Sequence, residues 1–118
     1  MLEKFAPTYI AGMPSIVKPA SSTAFLTHAT VKLIQASGLL SPGALQLVCG
    51  SLGPVLEFLG PQDIVTFTGS AETGHKLRAH PNLLKNNIPF NMEADSLNST
   101  ILYQTQDLTH PSYQLLKQ

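Results

Sequence analysis

Four short apolar runs, three of them closed off by proline or glycine, constrain this chain more than anything else in it. Residues 15–18 (SIVK) lie between Pro14 and Pro19, and residues 45–48 (LQLV) stop at Cys49-Gly50. Residues 64–67 (IVTF) run into Thr68-Gly69-Ser70, and residues 88–92 (IPFNM) form the fourth run. Runs of this length, rich in β-branched and aromatic residues, read as strands. Between the first two, Phe25, Leu26, Ala29, Leu33 and Ile34 recur at helical spacing. Ser21 and Ser22 are good N-cap types ahead of them, and Gly38 stands where a C′ glycine belongs. A short helix suits residues 55–59, and another suits residues 71–78 after Ser70. Strands alternating with helices, with no inside/outside alternation along each strand, predict a parallel sheet covered on both faces. The fold class is α/β.

At 118 residues the chain is one small domain or part of one. A hydrophobic content of 43% supports a folded core. Charged residues reach only 12%, against about 25% in an average soluble protein. That shortfall predicts a surface covered by other protein, and an oligomer. Seven basic and seven acidic residues cancel, which argues against a nucleic-acid or anionic-membrane partner. The single cysteine, Cys49, fits a reducing compartment. Glu3 and Lys4 interrupt any signal-peptide pattern, and no apolar run approaches the roughly 18 residues of a membrane span. Cytoplasm is the default. Residues 104–118 are polar, contain Pro111 and read as a tail after a domain over 1–103.

The most informative local feature is strand, Thr68-Gly69-Ser70, helix. Such a turn leaves backbone N–H groups and a positive dipole end facing outward, a ready phosphate site. The plainer alternative is that Gly69 only permits the turn and Ser70 only caps the helix. Gly69 to Lys76 (GSAETGHK) comes close to a phosphate-loop pattern. However, His75 stands where the lysine belongs and Leu77 where a magnesium-binding hydroxyl belongs, so an NTPase is rejected. Lys18 ends the first strand; ligands of open parallel sheets bind beyond strand carboxyl ends, so Lys18 and Ser70 could converge on one nucleotide. A solvated lysine is the alternative. Glu93, just past an apolar segment, is either a partly buried general base with a raised pKa or a helix-cap or turn carboxylate, and Asp95 is open to the same two readings. Cys49 reads as a small buried hydrophobe rather than a nucleophile. His28, His75, His80 and His110 lack the spacing of paired helical ligands, so no metal site is expected.

Four segments together resemble the aldehyde dehydrogenase superfamily: residues 16–20 (IVKPA), 36–43 (ASGLLSPG), 47–50 (LVCG) and 65–70 (VTFTGS). Within it, LEKFAPTYIAGMPSIVKPA and PFNMEADSLN are similar to the semialdehyde dehydrogenase subgroup of bacterial phenylacetate degradation. The resemblance implies a partial Rossmann-like domain binding NADP or NAD. It implies that Lys18 contacts the adenosine ribose, that Ser70 and the helix start hold the pyrophosphate, and that Gly50 lets the backbone approach the adenine side. Ala20, Ser21, Thr68 and Gly69 join these as cofactor-binding residues. Glu93 matches the general base that activates water.

Two departures from the family's pattern carry expectations of their own. Many NAD-preferring members carry glutamate where this chain has Ser21; a neutral residue beside Lys18 removes repulsion of a 2′-phosphate and favours NADP. Asp95-Ser96 replaces the usual Gly-Gly after the glutamate. The nucleophilic cysteine of the family lies farther beyond its glutamate than the 25 residues that follow Glu93, and the oxyanion-stabilising asparagine would precede Met1. The chain by itself is therefore expected not to oxidise aldehydes. The expected function is oxidation of a CoA-linked semialdehyde in a complete enzyme. The alternative is a non-catalytic folding or interaction module that self-associates.

Overall fold

The computed structural model describes residues 1–95. The tail read over 104–118, and Ser96, lie outside them.

Two β-α-β units make up the described chain. In the first, β1 (Ser15–Val17) passes through α2 (Ala24–Ala36) to β2 (Leu45–Leu47). In the second, β3 (Val65–Gly69) passes through α3 (Ala71–Arg78) and α4 (Pro81–Lys85) to β4 (Phe90–Ala94). Ahead of them stands α1 (Leu2–Ile10). Both strand pairs are parallel, Ser15 opposite Leu45 and Val65 opposite Phe90, which a helical crossover permits and a tight turn does not. The α/β class holds. The single doubly covered sheet does not: the strands form two separate two-stranded sheets. Nor do the strands lack alternation. Val65, Phe67, Phe90 and Met92 are half-buried while Thr66, Thr68, Asn91 and Glu93 are exposed, because α3 packs against one face only and the other meets water.

The first core joins α1, α2 and β2 through Phe5, Val31 and Leu45, with Tyr9, Val17, Ile34, Leu40 and Leu47 around them. Phe5 and Tyr9 stack with ring centroids 5.6 Å apart, one helical turn from each other. Helix α1 has no sequence-level signal, since Pro7 sits inside it and removes a backbone donor. Its Phe5 and Tyr9 packing supplies what propensity lacks. In the second unit Gly74 is buried, and a Cβ there would run into the Met92 side chain and come within 3.2 Å of the Phe67 ring. Glycine lets α3 lie directly on the sheet. Asn82 Nδ2 donates to the carbonyls of Leu56 and Leu59 at 2.8 and 2.9 Å, tying α4 to the 3-10 turn over Val55–Glu57.

Three local expectations change. Ser21 and Ser22 do not cap α2; with Thr23 they form a 3-10 turn, and Thr23 occupies the N-cap. The strand expected over 88–92 begins two residues later, at Phe90, which draws Glu93 into the ladder. Most of the expected stripe of α2 faces away from the core, with Phe25 77% and Leu33 73% exposed, while its Ile34 packs beside Val31, 3% exposed, on the other side. Apolar residues on both sides of a helix suit an element buried between two layers, and only one layer is present among the described residues.

Leu45→Ala should destabilise the chain by about 2–4 kcal/mol, because it empties the centre of a small core. Ile16→Ala, on the open face of the neighbouring strand, should change stability by less than about 0.5 kcal/mol. Chemical denaturation followed by circular dichroism measures both; equal losses would show that the two faces are equally packed.

Candidate functional site

The candidate residues lie at or just beyond strand carboxyl ends, in two separate groups. Lys18 follows β1 directly and is exposed. Ala20 and Ser21 are exposed at the start of the 3-10 turn that leads into α2, where the Ala20 carbonyl accepts the Thr23 N–H at 3.1 Å. Gly50 lies three residues beyond β2 at φ 106, and a Cβ there would meet nothing within 4 Å. The Val48 N–H donates to Val17 O at 2.9 Å, so the chain leaves β1 and β2 side by side and on the same edge.

The second group gathers at the end of β3 and β4. Thr68 and Glu93 are direct neighbours across the ladder, and Thr68 Oγ1 lies 3.5 Å from Glu93 Oε2. Ser70 caps α3: its Oγ accepts the Thr73 N–H at 3.3 Å and donates to Thr73 Oγ1 at 3.0 Å. The Ala71 N–H is taken by Asp95 Oδ1 at 3.2 Å. Of the N–H groups in the first turn of α3, that of Glu72 keeps no partner among the described residues. Ser70 is thus a cap in fact. Lys76, the displaced phosphate-loop lysine, pairs with Glu72 at 2.6 Å along α3. No hydrogen bond or ion pair joins the Lys18 group to the Ser70 group among the described residues.

Glu93 departs from the reading of a partly buried base with a raised pKa in one respect: its carboxyl is lowered, not raised. Its side chain is about half exposed, and Lys4 of α1 donates a hydrogen bond to Oε1. That hydrogen bond holds the Glu93 carboxyl below its ordinary value against the opposing effect of burial, with lesser help from the Lys4 charge and the Thr68 contact. The same bond raises the Lys4 ammonium. Sequence spacing could not reveal Lys4, because 89 residues separate it from Glu93. Cys49 is exposed rather than buried: β2 ends at Leu47, so the thiol falls outside the packed ladder.

These residues suit an anionic dinucleotide in part. Lys18 offers a cation at a strand end, Gly50 leaves open space for close approach, and α3 retains one N–H and its positive end. The Asp95 carboxylate at that end opposes a second anion. Among the described residues no group of three His, Cys, Asp or Glu could hold a metal ion, and no helix is long and apolar enough to cross a membrane.

Lys4→Met should raise the Glu93 titration midpoint toward its ordinary value of 4.5, read by carboxyl carbon NMR. Because folding lowers this pKa, the pair stabilises the fold above that value, and the contribution disappears as pH falls through the folded midpoint. An unchanged midpoint in the variant would show that the ion pair does not form in solution.

The sequence model of the Aldehyde dehydrogenase family matches residues 1–118. A 3,4-dehydroadipyl-CoA semialdehyde dehydrogenase of Aromatoleum evansii is 44% identical over 100 residues, covering 85% of this chain and 19% of that protein. An N-succinylglutamate 5-semialdehyde dehydrogenase of Escherichia coli is 42% identical over 74 residues, 61% of this chain and 15% of that protein. The enzyme of the same name from Enterobacter sp. is 42% identical over 73 residues, 60% and 14% respectively. The chain therefore spans less than a fifth of the length of these curated relatives. It belongs to the aldehyde dehydrogenase family.

Proposed function

We propose that this chain supplies the cofactor-binding part and the general base of an NADP-dependent dehydrogenase that oxidises a CoA-linked semialdehyde to a carboxylic acid. The observation that carries the reading is the carboxylate of Glu93, opposite Thr68 at the carboxyl end of a parallel strand pair and beside the α3 start. Open parallel sheets bind ligands at that edge. The Aromatoleum relative, named for a CoA semialdehyde, favours this substrate class and a place in aromatic degradation. In the proposal residues 1–103 form the cofactor domain and the complete enzyme works in the cytoplasm.

In this reading Lys18, Ala20, Ser21 and Gly50 receive the adenosine end of the cofactor. Thr68, Gly69 and Ser70, with the Glu72 N–H, face its phosphates. Ser21 carries no charge to repel a 2′-phosphate, which favours NADP over NAD. The nicotinamide, when bound, supplies the acceptor for the two electrons that leave the aldehyde carbon. Glu93, ionised at neutral pH, would accept a proton from water as the water oxygen attacks the acyl carbon of a thioester held on the complete enzyme's cysteine. The C–S bond then breaks, the thiolate returns to the cysteine and the carboxylic acid leaves. Lys4 keeps that carboxyl deprotonated between turnovers.

A second reading, a non-catalytic module that self-associates, draws on the apolar side chains left in water. Ile10 at 85%, Leu39 at 81% and Phe58 at 80% exposure exceed what scattered surface residues require. The two readings separate on nucleotide response.

Titrating NADP and then NAD into the chain, followed by amide NMR, should move and saturate peaks at lower NADP than NAD concentration. Lys18→Ala and Ser70→Ala should each weaken binding by about tenfold. Dispersed peaks indifferent to both nucleotides, in a chain that sediments as an oligomer, would favour the second reading instead. A stable monomer at high concentration would count against self-association.

A further inference from the structure

Position 95 does more than turn the chain. Asp95 adopts φ 57, a left-handed conformation that glycine enters freely and aspartate or asparagine tolerates. If the turn were the whole requirement, glycine would meet it best. Glycine, however, has no oxygen to offer, and Asp95 uses one: Oδ1 accepts the Ala71 N–H at 3.2 Å. Its own N–H donates to the Gly69 carbonyl at 3.1 Å, one step past the last ladder pair. The two bonds straddle Ser70, one on the residue before it and one on the residue after. A negative charge at the start of α3 is also favoured by the helix dipole. Glu93 stands two residues upstream, so the end of β4 that directs its side chain is held at both backbone and side chain.

We propose that Asp95 is a positioning residue for Glu93, its carboxylate latching the exit of β4 onto the first N–H of α3 and so holding the Glu93 carboxylate between Lys4 and Thr68. The inference takes only the role of Glu93 from the functional reading; the latch itself stands on the contacts of Asp95.

The test uses the full chain with Asp95→Asn and Asp95→Gly, both compatible with the left-handed backbone, followed by amide and carboxyl NMR from about pH 3 to pH 7. In the parent the Ala71 amide proton should follow a carboxylate titration. Glu72 and Glu93 are the other carboxylates near it, so loss of that step in Asp95→Asn assigns it to Asp95. Asp95→Asn keeps an oxygen acceptor and should hold Ala71 exchange within about twofold and the Glu93 midpoint unchanged. Asp95→Gly should speed Ala71 exchange about tenfold and shift the Glu93 midpoint upward. A residue needed only for the turn predicts the reverse order, with glycine at least as good as asparagine. Parent-like Ala71 exchange and Glu93 titration in Asp95→Gly would overturn the proposal, as would an Asp95→Asn variant that behaves like Asp95→Gly. A chain that fails to bind nucleotide while Ala71 still follows Asp95 would sink the functional reading and leave the latch standing.

Discussion

The parallel ladder between β3 and β4 is the constraint on which the candidate site depends. Its register sets Thr68 against Glu93 and Gly69 against Ala94, and its last backbone bond runs from Asp95 to Gly69. A slip of one residue would turn Glu93 to the face packed under α3. Phe90 and Met92 on the same strand prevent that slip, since they would have to enter water as Glu93 left it, while Val65 and Phe67 stayed under α3. Packing on one face thus determines chemistry on the other.

Gly74 is the joint between these two levels. Because it has no side chain, α3 sits close upon Met92 and Phe67, and the start of α3 comes down beside the end of β4. That closeness brings the Ala71 N–H within reach of Asp95. The helix start is then largely satisfied from within, by Ser70 on Thr73 and by Asp95 on Ala71. A phosphate arriving there meets one unpartnered N–H and a carboxylate, a more selective environment than the Thr-Gly-Ser turn suggests alone.

Exposure of apolar surface is the other organising fact. Among the described residues the buried hydrophobic set is Phe5, Val31, Leu45, Leu83 and Ile88, and α2 is apolar on two opposite sides. The low charge content has the same origin: residues that would be charged on a solvated surface are leucine and phenylalanine here.

Much of the architecture was legible along the chain. Strand-turn-helix at residues 65–78 reads directly, because β-branched residues, a glycine turn and a serine cap are local signals, and α3 falls on residues 71–78 as expected. Helix α1 was not legible, since Pro7 contradicts it locally and only the packing of Phe5 and Tyr9 overrides that cost. Which side of α2 is buried was not legible either, because two apolar stripes leave periodicity without a preference. The sequence by itself determined the α/β alternation, the parallel pairing and the family motifs, all written in residues a few positions apart. Only the tertiary structure decided that Lys4 meets Glu93, that the Glu93 carboxyl is lowered rather than raised, and that Asp95 grips Ala71. Those contacts join residues 24 and 89 positions apart, too far for any local pattern to record.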